Sequence, residues 1–259
     1  MPNALLLPEI AIIFVLFGVV FGSFGNVLIL RDARRRSILT DRSACPHCKH
    51  VLSWYELIPV ISWLLQGGKC RKCKKPISAQ YPLVEVASGA LAFLAYYLQP
   101  ENLLSAILLF TAFFLLLVVS GIDIRTQMVP VEYVVLAGLA GLASLHTTAP
   151  FIGMLVGAGS LLFITYAWKL LFKQEGMGEG DSWIAGAVGL LVGYPLIVPA
   201  LVVAVFSGAF LGATVLIVKK SSLEARIPFG PFLFAGSITA LVWGNQLLAW
   251  YTSISGITF

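Results

Sequence analysis

Long apolar runs, separated by short polar or Gly/Pro segments, dominate this chain. They extend approximately from Leu7 to Leu30, Pro82 to Leu98, Leu103 to Ile122, Val129 to Leu145, Phe151 to Phe172, Trp183 to Tyr194, Leu196 to Val218 and Phe229 to Trp250. About 20 apolar residues cross a bilayer core of roughly 30 Å as a helix. The pattern therefore predicts an all-α polytopic membrane protein with about eight transmembrane helices, the sixth of them short. The breaks at Gln99-Pro100-Glu101-Asn102, His146 to Pro150 and Gly193-Tyr194-Pro195 carry turn residues. Met1 to Leu7 lacks a basic n-region, and Gly22 to Asn26 is no A-x-A-type cleavage site, so the first run reads as a retained span.

Composition agrees with this pattern. Of 259 residues, 59% are hydrophobic and 11% charged, and the mean hydropathy is +0.92. A soluble domain carries about 25% charged residues. A disordered chain, a disulfide-stapled mini-protein and an ordinary soluble enzyme are all excluded, and the lipid bilayer is the expected partner of the surface. The net charge of +5 does not point to nucleic acid, because the basic residues are placed as a membrane topology requires. Eleven of the 17 lie between Arg31 and Tyr81, which makes that segment cytoplasmic. Alternating eight spans from there puts Arg125, Lys173, Lys219, Lys220 and Arg226 on the same side. Lys169 snorkels toward it, and both termini fall on the opposite side.

The cytoplasmic segment holds the four cysteines of the chain as Cys45-Pro-His-Cys48 and Cys70-Arg-Lys-Cys73. The 21-residue separation is close to zinc-ribbon spacing, and four thiolates on two tight turns form a cage suited to a structural Zn²⁺. A reducing cytosol favours a metal over disulfides. Two disulfides or four free thiols are the alternatives. His47 and His50 are expected to be solvated, since four sulfurs already complete the site. The apolar stretch Val51 to Leu65, with Trp54, Tyr55 and Trp63, suits a membrane interface.

Charge is so scarce in the apolar segments that each acid at their edges is informative. Asp123 ends the third span, in Gly121-Ile-Asp-Ile-Arg-Thr-Gln-Met-Val-Pro130. Asp181 opens the sixth, in Gly176-Met-Gly-Glu-Gly-Asp181. The topology puts both at the cytoplasmic membrane edge. At ~4 Å and an effective dielectric of ~20, two carboxylates repel by about 4 kcal/mol, so they would share one proton near neutral pH. Such a pair can deprotonate water and protonate a carbonyl oxygen. The plainer alternatives are a loop cap or an Arg125 partner for Asp123, and a helix N-cap for Asp181. Glu175 and Glu179 read as a solvated loop face, whereas Glu85 and Glu132 lie just inside spans and are expected to pair with basic residues.

These residues, in this order, resemble the prepilin peptidases, or type IV leader peptidases, aspartic proteases of the bacterial inner membrane. The resemblance runs the length of the chain. It includes Gly22-Ser-Phe-Gly-Asn26-Val with Arg31, the paired CxxC loop, and Tyr81-Pro82 with Glu85. It continues through Asp123-Ile-Arg-Thr-Gln-Met-Val-Pro130, Gly178-Glu-Gly-Asp181 and Ile227-Pro-Phe-Gly-Pro-Phe232. It implies a catalytic dyad of Asp123 and Asp181 that cleaves the basic leader of prepilins and pseudopilins after a glycine, on the cytoplasmic side. It also implies N-methylation of the new terminal residue with S-adenosylmethionine, for which the region of Gly22, Asn26 and Arg31 and the cysteine loop are the candidates. Cys45, Cys48, Cys70 and Cys73 are the expected metal ligands. The implied organisation is a first transmembrane helix (1–30), a cytoplasmic cysteine loop (31–81) and a transmembrane peptidase domain (82–259). Val131 and Trp183 replace residues usual in the family, Gly25 stands where a larger residue is usual, and Arg31 lacks its usual following proline. Leader contacts are expected from Glu56, Glu175 and Glu179.

Three other readings compete. One keeps the protease and drops methyl transfer. A proton- or ion-coupled transporter would place its acids near the bilayer midplane rather than at one edge. A zinc-ribbon adaptor would need neither aspartate.

Overall fold

A computed structural model describes residues 7–32, 42–144, 149–173, 178–219 and 228–256. Its described residues form helices and contain no β-strand, only two isolated bridges. The long helices are α1 (Pro8–Asp32), α3 (Gln80–Leu98), α4 (Leu103–Thr126), α5 (Val131–Ser144), α6 (Pro150–Phe172), α7 (Glu179–Val192), α8 (Ile197–Lys219) and α9 (Gly230–Ser255). A 3₁₀ turn (Trp54–Leu57) and the short α2 (Ile61–Leu65) lie between α1 and α3. The long helices coincide in place with the eight expected spans.

Six of them are long and apolar enough to cross a membrane, which makes this a multi-pass membrane protein. The described parts of α5 and α7 have 14 residues each, about 21 Å of helix. The sequence expected only the sixth span to be short. Helix α7 can be short because protein rather than lipid surrounds it: nine of its 14 residues are buried.

The chain divides into two compact units, Met1–Phe110 and Thr111–Phe259, and the division falls within α4. In the first unit, α1 and α3 pack antiparallel along a seam of small residues. A Cβ added at Gly18 would lie 2.6 Å from the Ala92 Cβ, and one at Gly22 would lie 2.6 Å from the Glu85 Cα. Without a hydrophobic force between helices in lipid, such backbone approach supplies the packing. Phe14 stacks on Tyr96 at the far end of the seam.

In the second unit α7 is the hub, with α5, α6 and α9 against it. Glycines mark every seam. Gly153 and Gly189 bring α6 and α7 into backbone contact, Gly138 and Gly141 seat α5 on Ala187 and Leu191, and Gly236 brings α9 onto the Ala200 carbonyl of α8. The order of these contacts makes α6–α7 and α8–α9 antiparallel and α5–α7 parallel. The C-terminal end of α4 and the first turns of α5, α7 and α9 therefore gather at one end of this unit. Large apolar side chains such as Leu155, Phe163, Leu170 and Phe206 remain outward, as a lipid-facing surface requires.

Candidate active site and metal centre

The cysteine segment folds as the same turn made twice. In the first copy the Cys45 N–H donates to the His50 carbonyl (2.9 Å) and the Lys49 N–H donates to the Cys45 carbonyl (3.0 Å). In the second the Cys70 N–H donates to the Lys75 carbonyl (2.8 Å) and the Lys74 N–H to the Cys70 carbonyl (2.9 Å). Lys49 (φ 59°) and Lys74 (φ 57°) adopt the left-handed conformation that closes each turn. Antiparallel bridges Ala44–Val51 and Lys69–Pro76 flank them.

This geometry brings the ligand atoms of Cys45, Cys48, Cys70 and Cys73 within 4.8 Å of one another, an arrangement that can hold a metal ion. The sulfurs of Cys45 and Cys73 are 3.8 Å apart and those of Cys48 and Cys70 3.9 Å. All four cysteines are free, so the disulfide alternative does not describe this structure. Against the Lys75 N–H, burial and the three neighbouring sulfurs push Cys73 up to about 11, whereas Cys45, pushed up by burial, is brought down to about 7 by the N–H groups of Cys48 and His47 and the thiols of Cys70 and Cys48. That favours the thiolate a metal needs.

Two residues of this loop differ from expectation. His50 is not simply solvated: its Nε2 lies 3.3 Å from Glu56 Oε2. Glu56 is not an open acidic contact. It is only 7% exposed, and Oε2 also accepts the Ser53 N–H at 2.9 Å, closing a capping box on the 3₁₀ turn. That N–H, with His50, holds the Glu56 carboxyl below its ordinary range. Both of these contacts use Oε2; Oε1 is buried without a hydrogen-bond partner.

Gly22 and Asn26 serve the α1–α3 seam. Asn26 is buried; its Nδ2 donates to the carbonyls of Gly22 (3.3 Å) and Tyr81 (3.1 Å), and its Oδ1 accepts from Gln80 Nε2. The side chain of Arg31 lies outside the described residues. Glu85, expected to meet a basic residue, instead accepts the backbone N–H of Val60 at 2.7 Å. Val60 occupies a left-handed φ of 60°, unusual for a β-branched residue.

The two aspartates both fall at the gathered end of the second unit. Asp123 lies in the last turn of α4 and is only 4% exposed. Its Oδ2 accepts the N–H of Gly230 at 3.0 Å, where α9 begins. A Cβ on residue 230 would lie 2.8 Å from that oxygen and 3.0 Å from Ile184 Cδ1. The backbone can reach the carboxylate only because residue 230 is glycine.

Asp181 lies in the first turn of α7, outside the six span-length helices. It is half-buried. Burial raises its carboxyl to about 7, and the Asp123 charge adds to the rise. The glycines of Gly178-Glu-Gly-Asp181 have separate tasks. Gly178 is the N-cap of α7. Gly180 admits the turn after α4, since a Cβ there would meet Val129 Cγ2 at 2.7 Å. Ser182 Oγ, next in sequence, is buried without a hydrogen-bond partner. Glu179 and Trp183 are exposed beside Asp181, and Glu175 lies outside the described residues.

Gly230 had drawn no role from the sequence. The signal was the Pro228-Phe-Gly-Pro231 string, a glycine between prolines at the start of an apolar run.

Residues 109–213 match the Type IV leader peptidase family. The chain belongs to that family. Residues 16–99 match the Bacterial Peptidase A24 N-terminal domain, which lies within the first unit. Several relatives carry the name prepilin leader peptidase/N-methyltransferase. The one from Aeromonas hydrophila is 34% identical, with 91% of each chain covered. The one from Burkholderia pseudomallei (strain 1026b) is 37% identical over 82% of this chain and 70% of its own. The one from Pseudomonas aeruginosa PAO1 is 30% identical over 93% of each. No solved structure matches the chain. Membership in a leader peptidase family excludes the transporter and adaptor readings.

Proposed function

We propose that this protein cleaves the leader peptide of type IV prepilins or pseudopilins at the cytoplasmic face of a bacterial inner membrane and N-methylates the new terminus. One observation carries the peptidase assignment. Asp123 and Asp181, far apart in sequence, lie at the end of the second unit where α4 ends and α7 and α9 begin, and Asp123 accepts the Gly230 N–H. With Asp181 raised to about 7, the pair holds one proton near neutral pH. One carboxylate takes a proton from water as the oxygen bonds to the scissile carbonyl carbon, and the other carboxyl delivers its proton to the carbonyl oxygen. Collapse then breaks the C–N bond and the leaving amine takes up a proton. The pair titrates as a unit, so acid and base are not assigned to individual residues. Glu179, exposed in the first turn of α7, offers a contact to the basic leader.

The four-cysteine centre is assigned to zinc. Sulfurs about 2.3 Å from a tetrahedral zinc ion are roughly 3.8 Å apart; two of the six sulfur pairs lie at 3.8 and 3.9 Å, and all lie within 4.8 Å. A closed four-sulfur site is structural, and here it would fix both turns of a loop poor in apolar core. S-adenosylmethionine, when bound, would supply an electrophilic methyl group for the amine that cleavage releases. Gly22 and Asn26 are occupied in helix packing, so no methylation step is derived through them.

The test is direct. Purified wild-type protein incubated with a prepilin and labelled S-adenosylmethionine should give a shortened, labelled product. Asp123→Asn and Asp181→Asn should give neither. Cleavage at the wild-type rate by either variant would overturn the dyad assignment.

A further inference from the structure

The cysteine loop carries a second feature that neither peptide cleavage nor metal binding uses. A cavity of about 240 Å³ opens beside the second cysteine turn. Lys69, Arg71 and Lys74 line it, with Tyr55, Gln66 and Leu65 among the other walls, and no carboxylate does. Arg71 is held in place: its guanidinium lies 5.2 Å over the Tyr55 ring. Lys74 is placed by the left-handed turn that orders the cysteines. A site built this way suits an anion with dispersed charge, such as a phosphodiester.

The surroundings are apolar and outward-facing. Trp54 is 78% exposed and Leu65 84%, and Ile61 and Leu64 are exposed on the same short helix α2. A large apolar face of this kind on a folded loop marks an interaction surface. Glu85 ties this face to α3. That residue lies more than one turn into α3, and it holds the N–H of Val60 at the start of α2. Trp63 secures the other end, donating its Nε1 proton to the Ile77 carbonyl at 3.2 Å. Helix α2 is thus drawn down beside a membrane-spanning helix rather than held above its end.

We propose that this cavity binds the phosphodiester headgroup of an anionic phospholipid while α2 and Trp54 rest among the acyl chains of the same leaflet. The complementarity is in both parts: three cations for the headgroup and an apolar face for the chains. A basic cavity is a poor match for a basic leader peptide. The negatively charged lipids of a cytoplasmic leaflet attract juxtamembrane Lys and Arg.

Trp54 is a built-in reporter, since its ring lies 5.8 Å from that of Tyr55 in the cavity wall. The full chain is reconstituted in nanodiscs of unlabelled phosphatidylcholine, doped with increasing fractions of either brominated phosphatidylglycerol or brominated phosphatidylcholine. The Trp54 signal is taken as wild type minus Trp54→Phe. Brominated phosphatidylglycerol should quench it at a mole fraction about fivefold lower or better, since each basic residue near the surface contributes on that order. Lys69→Glu with Lys74→Glu should bring the two curves together while bulk lipid still quenches Trp54. Metal content, measured alongside, should be unchanged. Should that variant lose metal, Lys69→Gln with Lys74→Gln takes its place.

Coincident curves for the wild type would overturn the proposal. So would a Trp54 that neither lipid quenches, selectivity that survives both charge substitutions, or displacement of the anionic lipid by millimolar inorganic phosphate. The last result would identify a site for free phosphate.

Discussion

The four-cysteine centre and the two-aspartate centre are built by opposite means. The cysteines are positioned by backbone hydrogen bonds spanning four or five residues, within two turns that repeat one pattern. Local sequence accounts for each turn, and one pairing of the two closes the cage. The aspartates are carried by the end of α4 and the first turn of α7, and the seams that set these helices are close approaches at glycines between segments distant in sequence. A local centre of this kind tolerates change elsewhere but fails when one ligand is lost. A centre assembled from helix ends is sensitive to a single methyl group at a seam.

The largest effect should come from breaking the local centre. Cys48→Ser, or treatment with a strong chelator, should release the metal and unfold the loop, because a structural zinc contributes about 10 kcal/mol of folding free energy. Metal analysis and protease susceptibility between residues 42 and 79 would check it. Retention of a full equivalent of metal by Cys48→Ser would remove the four-sulfur assignment.

Next in size is the aspartate pair. Asp123→Asn and Asp181→Asn should each lower prepilin cleavage by about 10³-fold. In Asp123→Asn, the carboxyl of Asp181 should titrate below its value of about 7, since a like charge has been removed. Infrared spectroscopy of the carboxyl C=O stretch across pH would show this. An unchanged midpoint would mean that the two groups do not interact.

Gly230→Ala tests the seam itself. The added methyl would meet Asp123 Oδ2 at 2.8 Å, so the carboxylate must shift or lose the Gly230 N–H. Misplacement on this scale costs about 10²-fold in rate. Cleavage kinetics should fall with metal content unaffected, and wild-type kinetics would show that the bond does not position the dyad.

The smallest effect belongs to the Glu56–His50 contact inside the loop. Glu56→Gln removes the charge facing His50 and should destabilise the folded loop by about 1–2 kcal/mol, read as faster hydrogen exchange at Ser53 and Glu56. The sign with pH follows from the direction of its shift. A carboxyl held below its ordinary range stabilises the fold above that range, and the contribution is lost as pH falls through the folded value. The wild-type loop should therefore weaken in acid more steeply than Glu56→Gln.

Much of this molecule was legible in one dimension. Apolar run length located all eight long helices, because lipid makes burial a matter of length. Cysteine spacing pointed to the four-cysteine cluster that can hold a metal ion, because a CxxC turn is a local object. Scarcity of charge singled out Asp123 and Asp181. The employment of Glu85 and Glu56 was not legible: both were expected to meet other charges or substrate, and both accept backbone N–H groups from segments whose approach no periodicity encodes. Gly230 is the clearest case. Nothing in Pro-Phe-Gly-Pro says which carboxylate its N–H will meet.

By itself, then, the sequence determined that the chain lives in a membrane, where its helices run, that four cysteines can form one cage, and which two acids stand apart. Each follows from composition or spacing along a single segment. Only the tertiary structure decided that α7 is an enclosed hub, that Asp123 rests on the start of α9, that Asn26 and Gly22 close a helix seam, and that α2 is drawn down beside α3. Those outcomes depend on how closely two backbones approach, and that distance is set jointly by residues from both helices.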